Sequence, residues 1–263
     1  MKVYVINMER SVGRREVIEK QLKKLGLDYE IVSAVDGRQM NEEELERITA
    51  RKGDFMKSQA GCMLSHLKVY ERMQNEPDEY ALVLEDDVIA TEKGMKNVLH
   101  EMEPRLNNTH ITLLTYYWCI EGSLKLNKES SNQKIQGHHH HNYFICNPHQ
   151  IYGVGRAAAY ILSKQTAQRI LAYQTPKLIC QADSWSVYSR SNVIGGVSCI
   201  YPMLFTENPQ FGSEIGYTRN KLEAWGKRLF EKLVSMNTPI LSDLIKRKRI
   251  NFAKNWKNIV LEN

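Results

Sequence analysis

The chain has 263 residues, 42% hydrophobic and 25% charged, a balance that supports a folded core and excludes wholesale disorder. Five cysteines, an odd number, widely spaced and with no C-x-x-C pair, argue against a disulfide framework or a zinc ribbon, and no segment reaches the ~18 continuous apolar residues of a membrane span. Lys and Arg number 36 against 30 Asp and Glu, a net charge of +6 whose placement matters more than its size.

The opening residues, MKVYVINMER, hold too short an apolar run for a secretory signal and read instead as a buried strand over 3–8. With unpaired thiols, this points to a cytosolic protein. A helix follows over 11–25, with Val17, Ile18, Leu22 and Leu25 on one face and Gly26 at its end. Residues 29–35 predict a second strand closed by Asp36-Gly37, and Asn41 with Glu44 predicts a capping box. The pattern over 58–73 is helical and sets Cys62, His66 and Tyr70 on one stripe. The run 80–84 is the clearest buried strand and passes directly into Glu85-Asp86-Asp87. A further strand is expected over 111–117, an expected polar loop of lid or binding type spans 121–150, and a strand over 157–162 leads to a helix over 163–173. Alternating strands and helices predict an α/β sheet with helices on both faces and ligands at the carboxyl ends of its strands. The expected division is a catalytic domain, 1–218, and a basic helical extension, 219–263.

Three adjacent carboxylates at the end of a buried strand repel one another. A divalent cation held by oxygen ligands would offset that repulsion and could bridge a nucleotide's phosphates; a helix-capping turn is the competing reading. The first strand–helix junction carries Asn7, Arg10, Arg14 and Arg15, but neither G-x-G-x-x-G nor a Walker loop, so dinucleotide and P-loop readings lose support. These arginines bind anions or form a solvated helix face. His66 is a ligand or a satisfied core histidine, and residues 138–141, four histidines, bind metal or lie solvated. Asp183 and Glu207 are candidates for a general base, or else a helix cap and a surface acid.

Taken in order, these pieces resemble glycosyltransferase family 25, the lipooligosaccharide galactosyltransferases whose eukaryotic relatives modify collagen. The resemblance rests on Arg14-Arg15, Ala34-Val35-Asp36-Gly37, Gly61-Cys62-Met63-Leu64-Ser65-His66, Leu84-Glu85-Asp86-Asp87-Val88, and Tyr160-Ile161-Leu162-Ser163 leading to Asp183. Ala159 stands where the family usually has Gly, Gln181-Ala182 where it often has Pro-Val, and 136–147 has no counterpart. The resemblance implies a GT-A-like, Rossmann-type α/β fold and inverting transfer of a sugar, usually galactose, from a UDP-sugar. It implies Mn²⁺ or Mg²⁺ at Asp87, with Glu85 or Asp86 on the nucleotide sugar. Asn7, Arg14 and Asp36, with Arg10 and His66, would line the donor side. Asp183 is the implied base and Glu207 the second choice. A metal-dependent phosphohydrolase and a non-catalytic, membrane-peripheral glycan-binding protein are the competing functions.

Residues 219–263 hold 11 Lys/Arg and 4 Asp/Glu, leaving 25 and 26 in a nearly neutral body. Leu241, Leu244, Ile245, Phe252, Trp256 and Ile259 fall near one face of a helical projection beside Lys246-Arg247-Lys248-Arg249. A basic amphipathic helix over 241–260 either lies on an anionic membrane or packs with a solvated basic face. A neutral body with one basic tail argues against nucleic acid. The expected location is cytoplasmic, peripheral at the inner membrane, where a lipid-linked oligosaccharide acceptor would be met.

Overall fold

The apolar run KVYVIN forms strand β1 (Lys2–Asn7), and helix α1 (Val12–Lys24) returns to β2 (Tyr29–Ser33). The computed structural model describes residues 1–119, 123–128, 134–211 and 259–262. Gly26, at φ 66°, ends α1 in the left-handed conformation expected of a helix terminus. Helix α2 (Glu42–Ile48) opens with the expected capping box: Asn41 and Glu44 exchange backbone-to-side-chain bonds of 2.8 Å each. Helix α3 (Lys57–Met73) and strand β3 (Tyr80–Glu85) follow, and β3 lies parallel to β1 with Ile6 opposite Glu85. That register sets Asn7 beside the acidic triplet.

Strand β4 (Val88–Ala90), helix α4 (Met95–Met102), strands β5 (His110–Leu113) and β6 (Tyr117–Trp118) continue the chain. The polar stretch expected to be a loop is instead largely sheet: β7 (Leu124–Lys128), β8 (Ile135–Gln136) and β9 (Asn142–Pro148). Leu124, Leu126, Tyr143 and Ile145 are buried while Lys125 and Asn127 point outward, so a period-2 pattern was hidden under a polar average. Strand β10 (Val154–Gly155), β11 (Ala159–Ser163), helices α5 (Lys164–Gln174) and α6 (Trp185–Arg190), and strands β12 (Gly196–Tyr201) and β13 (Phe205–Glu207) complete the body.

The main sheet runs β14-β7-β9-β12-β5-β11-β3-β1-β2, with β8 paired to β9; β14 is Ile259–Glu262. Its β2-β1-β3 side is parallel and β11 joins it antiparallel to both β3 and β5. Helices cover both faces, as expected. Val3, Val5, Leu82, Leu84 and Ile161 belong to a core with Ile18 and Leu22 of α1 and with the apolar side of α4. Tyr160, on the opposite face of β11, meets α3 through His66 and Tyr70. Burying such aliphatic side chains contributes about 1.5–3 kcal/mol each, which makes this half of the sheet a firm base for the strand ends.

Ile259 lies in a strand rather than on the helical face expected over 241–260; the rest of that segment falls outside the described residues. The sequence boundary at 218 lies outside them as well. Among the described residues, no helix is long and apolar enough to cross a membrane.

Candidate active site

Asp86, one residue past the end of β3, is held from both sides. Asn7 Nδ2 donates to its Oδ2 at 2.7 Å and Arg14 Nη1 to its Oδ1 at 3.2 Å. The same Asn7 amide reaches the Ser11 carbonyl at 3.3 Å, which ties the start of α1 to the carboxylate. Arg14 also lies over the Phe211 ring, 5.4 Å from its centroid. Burial pushes the Asp86 carboxyl up despite the bonds from Asn7 and Arg14. The arginine expected on either an anion site or a solvated helix face is thus a half-buried partner of the acidic strand end.

Glu85 points toward α3. His66 Nε2 lies 3.4 Å and Cys62 Sγ 4.0 Å from Glu85 Oε1, while His66 Nδ1 lies 2.7 Å from Tyr160 Oη, itself 2.7 Å from Tyr70 Oη. The stripe Cys62-His66-Tyr70 therefore faces the site, and His66 is both buried and satisfied. The local cause is close packing of α3 on the turn after β2. A Cβ on Gly61 would come within 2.6 Å of the Val35 carbonyl oxygen, and one on Gly37 within 1.8 Å of the Lys57 carbonyl oxygen. Ser65 Oγ accepts from the Val35 amide at 2.8 Å and donates to the Gly61 carbonyl at 2.7 Å. Gly61 permits the approach, Ser65 fixes it, and Cys62 and His66 are aimed by it.

Asp87 is different. Its backbone carbonyl accepts from Asn208 at 2.7 Å, yet its side-chain Oδ1 is buried without a hydrogen-bond partner. Burial first, then the charge of Glu85, push its carboxyl up to about 7, with Arg156 and Arg14 opposing. Burial also works to raise Glu85, but its bond to His66 and the fields of His66, Arg156 and Arg14 outweigh that and hold it low. Of these two acids, on either side of Asp86, Glu85 is held low and Asp87 is pushed up.

Asp183 comes to the same region from the turn before α6. Its Oδ2 accepts from the Arg156 amide at 3.2 Å, and burial raises its carboxyl. The fields of Glu85, Asp183 and Asp87 all act on the Cys62 thiol, which burial pushes well up. Glu207 opposes Val88 in the β4–β13 pair and forms an ion pair with the buried Arg156 guanidinium. Asp36 stands apart from the triplet's contacts: Arg38 and Arg10 hold it, and these bonds keep its carboxyl low.

Arg156 is the residue that sequence reasoning missed. Its amide holds Asp183, its carbonyl accepts from Trp185 Nε1 at 3.2 Å, and its side chain holds Glu207. It sits at φ 97°, a strained value for a residue with a side chain, and such strain clusters at functional sites. The neighbouring Gly153-Val154-Gly155 lacks the third glycine of a nucleotide-binding fingerprint and does not single out Arg156. The histidines at 138–141 join a structural node: the His138 amide donates to Glu92 Oε1 at 3.0 Å and Tyr143 to Oε2 at 2.8 Å.

Parallel strands ending in a carboxylate cluster backed by arginine define an α/β protein whose candidate site lies at the carboxyl ends of its strands. Residues 1–185 match the profile of glycosyltransferase family 25 (LPS biosynthesis protein), and the chain belongs to that family. A glycosyltransferase 25 family member of Aedes aegypti is 36% identical over 96 residues, 33% of this chain and 16% of that protein. Procollagen galactosyltransferase 1-B of Xenopus laevis is 26% identical over 115 residues, 39% of this chain and 19% of that protein. The matched stretch is thus under a fifth of each relative's length. A solved glycosyltransferase involved in the glycosylation of the major capsid of PBCV-1 aligns over 76% of this chain and 82% of that chain, with TM-score 0.36 and 10% identity.

Proposed function

We propose that this chain is an inverting glycosyltransferase that moves a sugar, galactose in the first instance, from a UDP-sugar to a lipooligosaccharide, LPS or related glycan acceptor. Family membership and the name of the procollagen galactosyltransferase relative support the reaction class and the sugar. The observation that carries the reading is the unequal treatment of three adjacent acids: Asp86 is bound by Asn7 and Arg14, Glu85 by His66, and Asp87 Oδ1 is buried and unpartnered.

An orphaned buried carboxylate oxygen flanked by two further acids fits a hard divalent cation, Mn²⁺ or Mg²⁺, which Asp87 would hold. When bound, such a cation neutralises charge on a diphosphate leaving group. The chain's own residues do the rest. Asn7 and Arg14 fix Asp86, His66 orients Glu85, and Arg10 and Asp36 line the uridine side. Asp183 takes the proton from the acceptor hydroxyl: a carboxyl raised by burial is a stronger base than an ordinary one. Glu207, engaged by Arg156 and about half exposed, is the weaker candidate.

The test is a thermal-shift panel of UDP-sugars with and without Mn²⁺, followed by UDP release in the presence of an acceptor. Metal-dependent stabilisation by one UDP-sugar is expected, and Asp87→Asn removes it. No response to any UDP-sugar overturns the reading; phosphoester hydrolysis without acceptor replaces it with a phosphohydrolase. We further place the enzyme in the cytoplasm at an anionic membrane surface, bound through the basic segment 241–260 as far as β14. Reversing Lys246, Arg247, Lys248 and Arg249 to Glu is expected to abolish binding to anionic liposomes and spare UDP binding.

A further inference from the structure

Cys62 and His66 stand one helical turn apart on α3 and share a face. Glu85 meets that face from the end of β3. One ligand atom from each of the three residues lies within 4.8 Å of the other two. His66 Nε2 and Cys62 Sγ both approach the same oxygen, Glu85 Oε1, at 3.4 and 4.0 Å. Donors around a tetrahedral Zn²⁺, with bonds of about 2.0–2.3 Å, stand roughly 3.3–3.7 Å apart. The His66–Glu85 pair, at 3.4 Å, already stands at that spacing.

The surroundings of His66 suit a ligand as well. Its second nitrogen, Nδ1, lies 2.7 Å from Tyr160 Oη, which lies 2.7 Å from Tyr70 Oη. Hydroxyl groups rotate and serve as donor or acceptor. Without metal, Nε2–H donates to Glu85; on metal binding Tyr160 can accept from Nδ1–H, which frees the Nε2 lone pair for the ion. A ring nitrogen oriented by a hydrogen bond from its far side is the usual arrangement behind a metal-bound histidine. Glu85 is 26% exposed, so the cluster is reached from solvent on the Glu85 side while His66 is buried.

We propose that Cys62, His66 and Glu85 form a second cation site, selective for a borderline-soft divalent ion of the Zn²⁺ type and separate from the hard-cation position at Asp87. A thiolate and an imidazole favour Zn²⁺ over Mg²⁺ or Mn²⁺. Binding forms one metal–sulfur bond and releases the Cys62 thiol proton to solvent, with no change of oxidation state. Occupation removes Glu85 from the donor side, so Zn²⁺ and UDP-sugar compete; this consequence alone rests on the proposed function.

The test is a Co²⁺ titration of the metal-free full chain. A near-ultraviolet thiolate-to-cobalt charge-transfer band is expected, displaced by one equivalent of Zn²⁺. It disappears in Cys62→Ser and persists in Asp87→Asn and in Cys119→Ser, which removes an exposed thiol. Imidazoles at 138–141 can bind Co²⁺ but give no thiolate band. Tyr160→Phe is expected to lower Zn²⁺ affinity about 10–100-fold. Absence of the band, its survival in Cys62→Ser, or its indifference to both His66→Gln and Glu85→Gln in natively folded variants overturns the proposal. If UDP-sugars fail to bind while the band behaves as stated, the donor reading falls and the cation site stands.

Discussion

Glu92 and Asp87 are two carboxylates five residues apart whose oxygens have opposite fates. Glu92 is buried and fully engaged: the Gly94 amide at 2.6 Å, the His138 amide at 3.0 Å and the Tyr143 hydroxyl at 2.8 Å all donate to it, and these bonds outweigh burial to hold its carboxyl low. Asp87 has a buried oxygen with no donor and a carboxyl pushed up to about 7. A buried carboxylate surrounded by donors fastens the fold; one left without them costs stability and is where the proposed cation would supply the positive charge. Asp183 lies between these extremes, with one backbone donor and a raised carboxyl.

The largest expected effect falls on the intermediate case. Asp183→Asn keeps an acceptor for the Arg156 amide and removes the proposed base, so sugar transfer should drop about 10²–10⁴-fold. UDP binding by calorimetry should be unchanged; a parallel loss of both would make Asp183 a donor-site residue instead.

Asp87→Asn is next, with a fall in transfer of about 10²–10³-fold and loss of Mn²⁺-dependent UDP binding. It also carries a stability signature. The folded-state carboxyl titrates near 7 against an ordinary value of 3.8, so the folded form binds more protons between those values. The contribution is fully present below about pH 4 and is lost as pH rises through about 7. Without metal, Asp87→Asn should therefore melt higher than wild type at pH 8, by about 2–4 °C per kcal/mol recovered, and equally at pH 4. A variant that melts lower at pH 8 would erase the contrast with Glu92.

Glu92→Gln should do the reverse, destabilising by about 1–3 kcal/mol with UDP affinity intact. Because its folded carboxyl is lowered, the Glu92 contribution is present above the ordinary value of 4.5 and is lost as pH falls through the folded value. The gap in Tm between wild type and variant should thus close in acid. The smallest effect is that of Arg10→Ala, which breaks a half-exposed pair with Asp36. Stability should change by about 1 kcal/mol or less, while fluorescence titration with a UDP-sugar should show a modest, measurable weakening.

Much of the site was legible in residue order. A buried strand running into three acids, an arginine-bearing first junction, and Gly61-Cys62-x-x-Ser65-His66 at helical spacing each stand close together in sequence, and local periodicity reports them. The strands at 124–148 were illegible because their buried positions are few and separated by Lys, Asn and Gln. Arg156 was illegible for another reason: its three partners, Asp183, Trp185 and Glu207, lie 27 to 51 positions away.

By itself, the sequence determined the alternation of strand and helix, the place where acids gather, and the helix face that carries Cys62, His66 and Tyr70, since these follow from short-range patterns of burial and charge. Only the tertiary structure decided which acid is held, which is charged and which is left without a partner. That outcome depends on Asn7, Arg14, His66 and Arg156 arriving from four different elements, and on the burial that their arrival creates. Charge in a protein interior is set by neighbours in space, and a linear chain does not state who they are.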